Sequence, residues 1–273
     1  MKAFRKLVYE YYRTSGRHDL PWRLTTDPYA ILVSEIMLQQ TQVGRIIPKY
    51  TVFLARYPSV KALAESSTKE LLTLWSGIGY NRRALWLKET ARELLENFNS
   101  TVPDNPEVLM KLKGIGYATA CAIAAYSYNT PVVFIETNIR TVFLHHFFPG
   151  KENVHDRELM PLVKDALDTM NPRTWYYALM DYGVYLKKIY PNASRRSRHY
   201  TKQSPFKGSD RQIRGWLLKR LSAGGISVKE CVAECTESLA VHDTTGRRIG
   251  KIMAELEEEG FIKRENGIVD IEG

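Results

Sequence analysis

Leu112-Lys113-Gly114-Ile115-Gly116-Tyr117-Ala118-Thr119-Ala120 is the stretch on which the fold of this 273-residue chain turns. Two closely spaced glycines stand between a short apolar segment and the small-residue run that continues through Cys121-Ala122-Ile123-Ala124. The glycines allow a tight hairpin, and the run after them reads as the start of a helix. Backbone N–H groups at a helix start have no intrahelical partners. Such a corner can grip a phosphate through amides and the helix dipole, without side-chain charge. Gly114, Gly116 and Thr119 are therefore candidate contacts for a polyanion.

Outward from this corner the pattern is helical nearly throughout. The spacing predicts helices over 29–43, 59–66, 67–75, 82–98, 106–111, 117–126, 137–147, 157–170 and 175–186, with Gly, Pro and Asn between them. Asp27-Pro28 opens the first, with Asp as N-cap and Pro at the first helical position. Ile31, Leu32, Val33, Ile36, Met37 and Leu38 make it apolar on most faces, as in a core helix. No alternation in the first 200 residues is long enough for a sheet. A helix then opens at Ser209-Asp210 and runs to Leu221, a second follows Ser227, and a third, capped by Thr244 or Thr245, runs to Glu258. Phe261 to Ile271 alternates around Glu265-Asn266-Gly267, a β-hairpin signal. This is the order of a winged helix-turn-helix, whose third helix would turn Thr245, Arg247, Arg248 and Lys251 toward a groove. A small helical cap or protein-docking module is the alternative for this segment. The expected class is mainly α, divided near residues 203–208 into domains 1–203 and 209–273.

Composition narrows the function. With 44% hydrophobic and 25% charged residues the chain can bury a core without disulfides or metals. Low-complexity, collagenous and disulfide-framework classes are excluded. No apolar run approaches the roughly 18 residues of a membrane span, and Met1 to Trp22 lacks a signal-peptide pattern. Three cysteines, Cys121, Cys231 and Cys235, fit a reducing compartment. The expectation is a soluble, intracellular protein. The net charge is +9, and Lys187 to Arg220 hold eleven basic residues against one acid, Asp210. Arg195, Arg196 and Arg198 lie in that stretch, interleaved with Ser194, Ser197, His199 and Tyr200, which suit a sugar–phosphate backbone. A solvated linker is the bland reading; nucleic acid is the leading partner.

Two further clusters bear chemistry. In Ser34-Glu35-Ile36-Met37-Leu38-Gln39-Gln40-Thr41-Gln42 an acid sits in an apolar helix and three glutamines follow. Glu35 shares its face with Ile31, Leu32, Leu38 and Gln39. Desolvation there raises a carboxyl pKa and suits a general acid; the competing reading is a structural hydrogen-bond network. In Val132-Val133-Phe134-Ile135-Glu136-Thr137-Asn138-Ile139-Arg140 the acid stands where a helix begins, with Asn138 close behind. Glu136 is either helix N-terminal decoration or a carboxylate facing a developing cation.

Together with Leu20-Pro21-Trp22 and Leu74-Trp75-Ser76-Gly77-Ile78-Gly79-Tyr80, these clusters resemble the helix-hairpin-helix DNA glycosylases of the endonuclease III superfamily, and within it the adenine DNA glycosylases of MutY type. The resemblance covers roughly residues 20 to 186. It implies a two-lobed helical body with the hairpin at a cleft, into which a base is flipped from double-stranded DNA. By the same resemblance Glu35 is the general acid, and Glu136, with Asn138 beside it in the catalytic set, stabilises an oxocarbenium-like sugar. Gln39 and Gln40 fall on the wedge that fills the stack. Tyr80, Asn81 and Arg83 fall on a loop near the opposite strand.

The departures from the family carry expectations too. Glu136 stands where the family has Asp, one methylene further from the backbone. Ala118 lies where bifunctional members carry a Schiff-base Lys, so a covalent lyase step has no nucleophile there. Residues 189–203 contain no cysteine, so the family's four-thiolate iron–sulfur loop is absent. Neither cofactor nor metal is expected; Cys231 and Cys235, one helical turn apart, lack further ligands. The winged-helix-like segment stands in place of the domain with which MutY-type enzymes read oxidised guanine. The chain thus reads as a monomeric, monofunctional glycosylase of base excision repair, cytoplasmic with the nucleoid or otherwise intracellular. It would remove adenine opposite oxidised guanine or G. Excision of thymine or uracil from G mismatches is one alternative, and a non-catalytic regulator binding DNA through the winged helix is another.

Overall fold

Asp27 does at the start of the first core helix what its position promises: its carboxylate accepts the backbone N–H groups of Tyr29 at 3.2 Å and Ala30 at 3.3 Å. The computed structural model describes residues 1–202, 204–240 and 246–272. Among these residues the helices are α1 Lys2–Ser15, α2 Pro28–Leu38, α3 Val43–Arg56, α4 Val60–Ala64, α5 Thr68–Trp75, α6 Arg82–Asn97, α7 Pro106–Leu109, α8 Tyr117–Tyr128, α9 Thr137–Phe147, α10 Asp156–Ala166, α11 Pro172–Ile189, α12 Asp210–Ser222, α13 Val228–Leu239 and α14 Arg247–Glu258. The strands are β1 Ile226–Ser227, β2 Ile262–Glu265 and β3 Ile268–Ile271. The fold is mainly helical, and the chain forms two compact units, 1–36 with 101–202 and 37–100 with 203–273.

In the first unit α9 and α11 pack side by side, with α1 against α11. Phe143, Trp175, Tyr176 and Leu179 are fully buried there, and Phe4 of α1 meets Phe143 edge-to-face at 5.4 Å. The sequence reading passed over α1, although Phe4 and Val8 mark its buried face. The helix expected over 157–170 stops at Ala166. Beyond it the Asp168 carboxylate accepts the N–H groups of Met170 and Asn171, holding them outside a helical ladder.

In the second unit Ser59 and Ser67 cap α4 and α5 through their hydroxyls. The helix expected to run from 29 to 43 ends at Leu38, and α3 starts afresh at Val43. Gln40, between them, is left-handed at φ 52° and cannot continue a helix. The residues after 203 fold onto this unit: α12 packs against α5, and Arg82 and Arg214 both pair with Glu259. The three-stranded sheet has the order β1-β3-β2, all antiparallel, with Arg264 opposite Val269 and Ile226 on its other side. Asn266 and Gly267 both have positive φ, 52° and 77°, as a two-residue type I′ hairpin requires. Helix, strand, two helices and a hairpin is the element order of a winged helix-turn-helix. Gly246 is the N-cap of α14; Thr244 and Thr245 lie outside the described residues.

Candidate active site

Glu35 and Glu136 both belong to the first unit. Glu35 lies in the last turn of α2, half-buried among residues that are nearly all fully buried. None of the hydrogen bonds of the described residues engages its carboxyl. Burial pushes its pKa up to about 8, the charge of Glu136 adds to the rise, and Arg23 opposes it. Such a group holds its proton at neutral pH.

Glu136 is placed by the start of α9. Its Oε1 accepts the backbone N–H groups of Asn138 at 2.7 Å and Ile139 at 3.1 Å. It is the N-cap of that helix, and its second oxygen is left for other partners. Asn138 is held by Lys187 of α11, whose Nζ donates to Oδ1 at 2.8 Å. Gly183 of α11 makes this closeness possible, because a Cβ there would lie 2.5 Å from the Asn138 carbonyl oxygen. Burial raises the Glu136 pKa, while the two amides, Lys187 and Arg140 pull it down. Of the two acids, Glu136 is the one surrounded by donors and cations, so it ionises first. Lys187, which composition assigns to the basic stretch, is a candidate site residue that sequence reasoning missed.

A second group missed from sequence is Arg23 with Asp181. Asp181 is 2% exposed in its side chain and Arg23 5%. They form a two-pronged pair at 2.7 and 3.0 Å, to which Arg17 adds a backbone and a side-chain bond. The Arg23 guanidinium lies 4.5 Å from the ring of Tyr177, which stacks on Tyr126 at 4.4 Å. Arg23 immediately follows the Leu20-Pro21-Trp22 motif, and that adjacency is the signal that could have found it.

The hairpin of the first unit has Gly114 at φ 74° and Gly116 as N-cap of α8. Gly116 is exposed, and a Cβ on it would meet no atom within 4 Å. Thr119 is half-buried. Arg195 and Arg198 are exposed. Arg196 instead donates to the carbonyl oxygens of Leu144, at 2.9 Å, and Phe148, fastening residues 193–196 to the end of α9.

The other candidates lie in the second unit. Gln39 is half-buried and Gln40 exposed in the turn after α2. Tyr80, exposed and left-handed at φ 50°, precedes the half-buried Asn81 at the start of α6. Arg83 is buried. Arg247 and Arg248 are exposed at the start of α14, where Arg248 pairs with Asp210 at 2.6 Å.

No group of three or more potential metal-ligating side chains occurs among the described residues. The four-thiolate site that the family resemblance implies has no donor set among the described residues. Cys121 is buried in α8 of the first unit, and Cys231 and Cys235 are buried in α13 of the second. No helix among the described residues is long and apolar enough to cross a membrane.

Residues 33–165 match the family described as HhH-GPD superfamily base excision DNA repair protein. The chain is similar to an adenine DNA glycosylase of Mycobacterium tuberculosis, 33% identical over 245 residues, covering 80% of this chain and 78% of the relative. An adenine DNA glycosylase of Buchnera aphidicola is 33% identical over 186 residues, covering 67% of this chain and 52% of the relative. The chain spans about half the length of the Buchnera relatives. Among solved structures, a thermostable thymine-DNA glycosylase superposes with a TM-score of 0.62 at 28% identity, over 67% of this chain and 85% of its own.

Proposed function

We infer the function from one premise: this chain belongs to the HhH-GPD superfamily of base excision DNA repair proteins, alongside the MutY-type adenine DNA glycosylases. The reading the site supports best is a monofunctional DNA glycosylase that flips a mispaired base out of double-stranded DNA and hydrolyses its N-glycosidic bond. Adenine opposite oxidised guanine or G is the proposed substrate. The carrying observation is the Glu35 carboxyl, protonated near neutral pH and without a hydrogen bond among the described residues, in the same unit as the helix-capping Glu136.

In this mechanism Glu35 donates its proton to a ring nitrogen of the flipped adenine. The bond from sugar carbon to base breaks and its electron pair leaves with the base. The cationic sugar is stabilised by the Glu136 carboxylate, whose orientation the α9 amides fix in advance. Water adds to the sugar carbon and loses its proton to the Glu35 carboxylate, which restores the acid. Ala118 offers no amine in the hairpin, so cleavage ends at the abasic site. No step requires an iron–sulfur cluster, and the enzyme is proposed to work as a monomer without one. It would work wherever the cell keeps its DNA, cytoplasmic with the nucleoid in a bacterium.

The duplex is gripped at Gly114, Gly116 and Thr119 and along Arg195 and Arg198. Gln39 and Gln40 fill the stack, Tyr80 and Asn81 lie near the opposite strand, and the winged-helix segment 209–273 adds Arg247 and Arg248. The test is Glu35→Gln. It removes the transferable proton and keeps the shape, so single-turnover excision of adenine should fall by about a thousand-fold or more while duplex affinity changes little. Activity within a few-fold of the wild type would overturn the assignment. A second reading, excision of thymine from G mismatches, draws on the likeness to the thymine-DNA glycosylase. A panel of mispaired duplexes developed with alkali separates the two.

A further inference from the structure

Arg83 stands on α6 next to two turns of the second unit, one formed by residues 39–41 and the other by 77–80. Its family resemblance points it at DNA, yet the residue is 4% exposed. The guanidinium donates to the carbonyl oxygens of Met37 at 3.0 Å and Gln39 at 2.6 Å and to the Thr41 hydroxyl at 3.0 Å. On the other side it donates to the carbonyl oxygens of Gly79 at 2.9 Å and Tyr80 at 3.4 Å. The Trp75 indole N–H donates to the same Gly79 oxygen at 3.1 Å. Burial lowers the Arg83 pKa to about 10, so the side chain is charged at neutral pH. Each turn carries a non-glycine residue in the left-handed region, Gln40 and Tyr80, and a conformation of that kind persists only where its surroundings impose it.

We propose that Arg83 is a positioning residue, a single guanidinium that ties the turn presenting Gln39 and Gln40 to the turn presenting Tyr80 so that both meet the duplex as one rigid platform. The proposal rests on the reading that the first turn fills the base stack and the second lies near the opposite strand. Arginine suits the role because its planar fork offers five donors in fixed directions, whereas a lysine ammonium reaches at most three acceptors from a flexible stem. Carbonyls bound to Arg83 cannot turn outward, which leaves side chains as the surface the turns offer to DNA.

The test compares full-length wild type with Arg83→Lys and with the milder Thr41→Val, which removes one acceptor and serves if the first variant folds poorly. Without DNA, amide hydrogen exchange should accelerate at 39–42 and 78–83 in both variants and stay unchanged in α9. With a duplex carrying 2-aminopurine beside the adenine mispair, the fluorescence rise on saturating binding should shrink. Single-turnover excision should fall about ten- to a hundred-fold. On a duplex whose adenine faces an abasic site, where the base is already loosely held, the loss should be several-fold smaller. Thr41→Val added to Arg83→Lys should cost little more, because both break one network. Equal losses on the two duplexes, or unchanged exchange in both turns, would overturn the proposal. If the wild type excises no base from any mispair, the glycosylase reading fails. Exchange and 2-aminopurine emission would then still decide the role of Arg83.

Discussion

Glu35 and Glu136 divide one task by environment. Burial and a neighbouring negative charge leave Glu35 protonated up to about pH 8. Excision by a Glu35 proton should therefore be full below that pH and decline as pH rises through about 8. Glu136 must be ionised, and burial raises its pKa above the ordinary carboxylate value, so the rate should also fall on acidification. The expected pH–rate profile is a bell. Lys187 and Arg140 are the cations that hold the Glu136 proton off. Lys187→Met removes one of them and should move the acidic limb to higher pH while leaving the limb near 8 in place. Single-turnover rates from pH 5 to 9 measure both limbs. A Lys187→Met profile that superposes on the wild type would show that Lys187 only packs.

At the scale of elements, the hairpin before α8 separates two uses of glycine. Gly114 is in the left-handed region, so Gly114→Ala should destabilise the fold by about 1 kcal/mol or more. Gly116 has an ordinary extended backbone and empty space where a side chain would go. Gly116→Ala should leave the melting temperature nearly unchanged and weaken duplex binding, because the added methyl occupies the approach of a phosphate. Calorimetry and fluorescence titration of the two variants check the contrast. Much of this level was legible in advance: Asp27, Ser67 and Ser227 announce helix starts, and Asn266-Gly267 announces a hairpin. What was not legible came from contacts between distant positions. Gln40 ends α2 without any glycine or proline to mark it, and Asp181 pairs with an arginine 158 positions earlier. Lys187 and Arg196 belong in the sequence to the basic stretch read as a nucleic-acid surface, yet they are spent on Asn138 and on carbonyl oxygens.

For the whole molecule, the chain crosses between its compact units at 36/37, 100/101 and 202/203, and residues 203–273 cluster with 37–100. A chain ending at residue 208 would lose Ile213 and Leu217, buried side chains of α12, the helix that packs against α5. Hydrogen exchange in α5 should then accelerate sharply, while α9 and α11 keep their protection. Charge follows the same logic. Of the eleven basic residues from Lys187 to Arg220, Lys187, Arg196, Arg211, Arg214 and Arg220 already bind protein acceptors. The remaining six limit the salt dependence contributed by this stretch to a slope of about −5 in log affinity against log salt. A flat titration would mean that the stretch touches no phosphate at all.

Gly183 sets the distance between α11 and the Asn138 backbone. In a saturation screen of the gene for loss of the proposed base excision, codon 183 should therefore score as intolerant as codon 35, although its residue has nothing to donate or accept beyond its peptide. Alanine itself would be rejected there, which marks the position as one where bulk, and not reactivity, is under selection.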